Sequence, residues 1–144
     1  MLFDDLWYGS FMADALYPDG KEAFLGGDID VDTDTIKVAL CSSSDYTYSA
    51  SHTFLSSVTR YSGTTDQTLS TKTKTDGVFD SSDTLTFSAV AIDGSKDVDQ
   101  VVIYQDTGVA GTSRLIAFYD SFTAVTPNGT DITFDANASG LFAL

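Results

Sequence analysis

Cysteine, histidine and glutamate occur once each in this chain, as Cys41, His52 and Glu22, and those shortages remove most familiar chemistries. A single cysteine excludes an intrachain disulfide, so stability has to come from packing or assembly. One cysteine and one histidine are too few for a zinc site. A Ser-His-Asp relay has only His52 to take the hydroxyl proton, and no nucleophile motif accompanies it. An imidazole beside Thr53 and Phe54 reads instead as a strand or loop residue with a satisfied hydrogen bond. Hydrolysis of glycosides by paired carboxylates rests on a separation in space, which sequence spacing does not give. Its usual acid is often glutamate, and Glu22 lies in a predicted helix. No phosphate-cradling loop is present, because Gly108-Val109-Ala110-Gly111 lacks the lysine and the following helix of a nucleotide site. The chain therefore reads as a non-enzyme that needs no cofactor.

Cations are scarce as well. Seven Lys and Arg face 21 Asp and Glu, a formal net charge of -14, and a field of that sign repels a phosphate backbone, so no nucleic-acid partner is expected. No apolar run approaches the roughly 20 residues of a membrane span. Asp4 and Asp5 stand where a secretory signal would carry Lys or Arg, so the expectation is a protein made and kept in a cytoplasm, without a membrane partner.

What the chain does have is the material of one globular domain: 144 residues, 42% hydrophobic and 12% aromatic. Nearly all its acid is Asp, which favours turns and caps over helix interiors and, with abundant Thr and Ser, points to strands joined by turns. Helical character is confined to Leu2 to Leu25, where Phe3, Trp7 and Phe11 recur at i+4. Pro18-Asp19-Gly20 is expected to divide it into two short pieces, and Gly26-Gly27 to stop it, the first glycine taking the left-handed cap.

Beyond Gly27 the period becomes two. Candidate strands are Asp28 to Asp32, Ile36 to Leu40, Thr68 to Thr75, Thr84 to Ile92 (Leu85, Phe87, Ala89 and Ala91 on one face), Gln100 to Gln105, Leu115 to Tyr119, Asp131 to Asp135 and the apolar C-terminal stretch. His52 to Val58 is ambiguous between strand and helical turn. About eight short strands without alternating helices predict an antiparallel β-sandwich or jelly roll, residues 28–144, preceded by an N-terminal helical arm, residues 1–27.

Two segments could carry binding. Asp28-Ile29-Asp30-Val31-Asp32-Thr33-Asp34 has carboxylates at cation-like spacing but fails the EF-hand template, which needs Gly at its sixth and Glu at its twelfth position where this run has Thr33 and Ala39. It reads as an edge strand with one solvated face rather than a calcium loop, so no metal is expected. The aromatic arm offers Leu2, Phe3, Leu6, Trp7, Tyr8, Phe11 and Met12, which either cap their own sandwich or dock on a neighbour. Tyr46 and Tyr48, two apart in the polar stretch Ser42 to Ser51, join them as candidate partner-binding residues on a short edge strand.

From Ala15 onward the chain resembles a family of small structural proteins encoded among the head genes of tailed bacteriophages. The resemblance lies in Lys21-Glu22-Ala23-Phe24-Leu25, Gly27-Asp28-Ile29-Asp30, Asp34 to Leu40, Gly77-Val78-Phe79-Asp80, Val102 to Gly108, Thr112 to Asp120 and Pro127 to Thr133. It implies a virion component on the capsid exterior, a cement or decoration protein that contacts the major capsid protein and self-associates as a homotrimer. A neck or tail component of the same virion, and a carbohydrate-binding β-sandwich, are the alternatives.

Overall fold

A computed structural model of the chain describes residues 14–135 and 140–144. The fold is mainly β, built of antiparallel sheets with one short helix near the N-terminus, in keeping with the sandwich-like architecture expected from the strand pattern. Strand β1 (Ala15–Leu16) leads into helix α1 (Pro18–Gly26), followed by β2 (Ile36–Cys41), β3 (Gln67–Leu69), β4 (Lys72–Thr75), β5 (Val78–Ser81) and β6 (Thr84–Phe87). The chain continues through β7 (Gln100–Gln105), β8 (Leu115–Tyr119), β9 (Ile132–Asp135) and β10 (Phe142–Ala143). A five-stranded sheet runs β1-β8-β7-β2-β3, beside a three-stranded sheet β10-β5-β4 and the pair β6-β9.

The five-stranded sheet is buried on both faces, which is why β7 and β8 read as nearly continuous apolar runs. Alternation along each strand divides their side chains. Ile36, Val38, Leu40, Val101, Ile103 and Tyr119 enter the larger core, where Phe79, Leu85, Phe87, Phe134 and Phe142 of the two smaller sheets meet them. Ala39, Cys41, Val102, Tyr104, Leu115 and Phe118 face the other way, under Tyr17, Tyr46, Leu55 and Val58. The register slips once: Ile103 opposes Ala117 while Tyr104 opposes Leu115, leaving Ile116 as the extra residue of a bulge. That bulge lets Ile116 and Ala117 both join the larger core while Leu115 and Phe118 serve the second.

Helix α1 departs from the expected arm. Pro18 occupies the first turn, where its missing N–H is no loss, so Pro18-Asp19-Gly20 starts the helix instead of dividing one. Gly27, the second glycine of the pair rather than the first, takes the left-handed cap at φ 81° and donates its N–H to Phe24 O. Ala23 sits in the larger core and β1 pairs with β8, so residues 14–27 pack into the body of the fold. The rest of the expected 1–27 arm, residues 1–13, lies outside the described residues.

Two strand expectations are also revised, and one ambiguity is resolved. Thr68 to Thr75 is two strands in different sheets, broken at a corner where Asp83 Oδ2 accepts from the backbone of Ser70 (2.5 Å) and Thr71 (3.0 Å). The stretch Thr84 to Ile92 stops at Phe87, because Ala89 turns to φ 48° and Val90, not Ala89 or Ala91, enters the core. His52 to Val58 resolves into a bridge at Phe54 and a 3₁₀ turn over Leu55–Ser57.

Candidate functional site

Tyr46 and Tyr48 do not form the exposed edge strand that their spacing suggested. Residues 42–51 are turns and irregular chain laid over the second face of the main sheet, and Tyr46 is 4% exposed. Its hydroxyl bonds Tyr17 OH at 2.8 Å and His52 Nδ1 at 2.9 Å, so Tyr46 and the lone imidazole join one interior hydrogen-bond chain. Tyr48 is half-buried, 5.0 Å from the Tyr17 ring and 5.2 Å from Phe118, and its hydroxyl reaches Leu16 O at 3.5 Å. Both tyrosines act as a lid for the sheet. Leu2, Phe3, Leu6, Trp7, Tyr8, Phe11 and Met12 lie outside the described residues.

The Asp28 to Asp34 run is a turn, not an edge strand. Asp30 Oδ1 accepts from the Asp32 N–H at 3.0 Å and Asp34 Oδ2 from the Asp30 N–H at 2.9 Å, a local knot that points Ile29 and Val31 into the core. The Asp32 N–H, ahead of smaller contributions from Thr33 and the lysines Lys74 and Lys72, holds the Asp30 carboxyl below the usual range. Among the described residues no three His, Cys, Asp or Glu side chains cluster as a metal site. Cys41 is buried, and burial pushes its thiol up to about 12, which leaves it protonated and unreactive at neutral pH. Asp66 is half-buried, its side chain 7% exposed; its Oδ2 accepts from Tyr104 OH at 2.6 Å and pairs with Arg60 Nε at 2.8 Å.

Among the described residues a groove lies between the C-terminal end of α1 and the sheet β10-β5-β4. The two-residue loop Asp76-Gly77, with φ of 53° and 81°, has the positive-φ pair that a tight hairpin requires and so fixes the pairing of β4 with β5. That register sets Lys74 opposite Phe79, and Phe142 of β10 opposite Phe79 from the other side. A row Lys74–Phe79–Phe142 results, its two rings stacked at 4.9 Å. Phe24 on α1 approaches Phe142 at 6.0 Å, and Ile29 and Val31 complete a wall. The groove's volume is about 610 Å³, within the range of small-ligand sites. Leu144 lies at its mouth, 62% exposed, and Leu25, beside the lining residues Phe24 and Gly27, is 90% exposed.

Asp30, Lys74 and Asp76 give the groove its polar rim. Lys74 is engaged with Asp32, which raises the ammonium above its ordinary range. The groove thus offers an apolar floor and net negative edges. Sequence reasoning did not assemble it, although Asp76-Gly77 between two strand-like stretches was the signal for its hairpin.

No protein family, curated protein or solved structure was found to match the chain. Among the described residues no helix is long and apolar enough to cross a membrane.

Proposed function

We propose that the protein is a non-enzymatic structural component of a tailed-phage virion, a cement or decoration protein that binds the outer capsid lattice and stabilises the shell. The observation that carries this reading is where the phage-like stretches fall. They take in most of β2, β7 and β8 with the turn between the last two, part of helix α1 and the turn after it, most of β5, and the turn that leads into β9. Among the longest are those on paired strands of the central sheet, where β2, β7 and β8 are neighbours.

The use of reactive groups supports the same reading. His52 is spent on Tyr46, the Cys41 thiol is buried, and Asp83 holds a chain corner, so the polar side chains brace a rigid body. Adhesion is the function such a body serves, with apolar surface buried across subunit joints, as a homotrimer at threefold positions contacting the major capsid protein. The carbohydrate-binding alternative loses ground here, since of the aromatic pair that suggested it Tyr46 is buried and Tyr48 half-buried against Tyr17 and Phe118.

The test is stoichiometry in purified particles. A copy number in a fixed ratio to the major capsid protein supports a lattice role. A copy number of one or two rings moves the protein to the neck or tail, and absence from particles rejects the virion reading.

A further inference from the structure

We propose that the groove between α1 and the Lys74–Phe79–Phe142 row docks a segment of a partner protein in which an apolar side chain is flanked by a basic residue. Three observations converge on this occupant. The floor is aromatic, from Phe24, Phe79 and Phe142, and two of the four large apolar side chains most exposed among the described residues are Leu144, at the groove's mouth, and Leu25, next in the chain to Phe24. Exposed apolar side chains beside an apolar cleft mark a contact surface.

Charge selects what enters. The nearby lysines are already engaged, Lys74 with Asp32 and Lys72 with Asp34 O at 2.5 Å, whereas Asp30 and Asp76 belong to no ion pair among the described residues. Asp30 stays ionised, because the Asp32 N–H stabilises its charged form. A purely apolar segment would dehydrate these carboxylates without compensation, and an acidic one would be repelled, so a basic flank is the complement. A second copy is a poor match, since it brings another -14 of net charge to the same field. The proposal does not depend on the virion reading, because it follows from the groove alone.

The experiment titrates the isotope-labelled full chain with two peptide probes, acetyl-Lys-Leu-Phe-Leu-Lys-amide and its counterpart with Glu in place of Lys, and follows the backbone amide resonances. The basic peptide is expected to shift Gly27, Asp76 and Gly77 and to bind about tenfold or more tightly than the acidic one, an advantage that shrinks as salt is raised. Leu144→Ser should weaken the basic peptide about tenfold, and Asp76→Asn, at a turn position that Asn tolerates as well as Asp, should reduce the preference between peptides to about threefold without unfolding the chain. Equal binding of the two peptides, no response to the basic one, or shifts confined to another surface would overturn the proposal. So would Trp7→Ala raising the basic peptide's affinity about tenfold, since the chain's own residues 1–13 would then be the occupant. Concentration-dependent dimerisation abolished by Leu144→Ser would assign the groove to a second copy instead.

Discussion

Gly20 of α1 lies against the carbonyl oxygen of Leu115, so close that a Cβ at this position would overlap it and press on Ile116 Cα at 3.3 Å. The helix can rest directly on β8 only because that position carries no side chain. Intrinsic propensity and packing then make opposite predictions for Gly20→Ala. In a free helix the change would stabilise by about 1 kcal/mol. Here overpacking should dominate, and Gly20→Ala is expected to lower stability by about 1–3 kcal/mol in urea unfolding. A variant more stable than the parent would mean that α1 does not dock as described.

Tyr17 and Tyr46 couple the helix entry to the lid of residues 42–51 through their shared hydroxyl bond. Tyr46→Phe strands the Tyr17 hydroxyl in a site with 0% exposure and should destabilise by about 1–3 kcal/mol. Tyr17→Phe should do less, because Tyr46 keeps His52 as a partner. The double variant should lose less than the sum of the two, since removing both hydroxyls leaves no unpaired group between the rings. Strict additivity in the unfolding free energies would show that the bond is not formed in solution.

How much of this was legible in the sequence depended on how local each cause is. Strand β7 was read to the residue, and β2 to within one, because an apolar run bounded by Asp, Gly and Ser has few other folds open to it. The run Asp28 to Asp34 misled for a physical reason: Ile29 and Val31 are buried as period two implied, but from turns closed by Asp side chains, and alternation alone cannot tell the two apart. Tyr46 misled in another way. Its neighbours are polar, and its burial follows from the need of Ala39, Cys41, Val102 and Tyr104 for cover on the second sheet face, a demand raised by residues far along the chain. The groove was invisible for the same reason, since Phe24, Phe79 and Phe142 meet only through helix docking and strand register.

The buried tyrosines set an alkaline limit on stability. Burial, with the Tyr46 hydrogen bond adding to it, raises the Tyr17 hydroxyl far above its ordinary range, burial and then Asp66 do the same for Tyr104, and burial does so for Tyr119. A group whose pKa is higher in the folded chain contributes stability below its unfolded value, roughly 10, and loses it as pH rises beyond. Unfolding free energy should therefore fall steadily above about pH 10. Absorbance titration of tyrosinate should show a class of tyrosines that ionise only together with the loss of β-sheet circular dichroism. A smooth titration of all tyrosines near their ordinary value, with the sheet signal intact, would contradict the burial described.

Asp83 governs the acid side. Its carboxylate accepts from Ser70 N (2.5 Å), Thr71 N (3.0 Å), Ser70 Oγ (2.9 Å) and Ser81 Oγ (2.9 Å), and so holds the corner where the chain leaves one sheet for another. Partial burial works against the charge, but the Thr71 and Ser70 backbone N–H groups, followed by their hydroxyls, outweigh it and hold the carboxyl well below the usual carboxylate range. A pKa lowered by folding contributes stability that is present above the unfolded value of roughly 3.9 and is lost as pH falls below it toward the folded value. Asp83→Asn keeps the shape of the side chain but has one acceptor oxygen in place of two and no charge. It should destabilise by about 2 kcal/mol at neutral pH, the scale of hydrogen bonds to a charged group. Below about pH 4 the gap between variant and parent should narrow, because the parent's own carboxyl is then taking up its proton. Unfolding curves of both proteins at a series of pH values decide it: a gap that stays constant down to the acid limit would show that the corner is held by shape and not by the charge of Asp83.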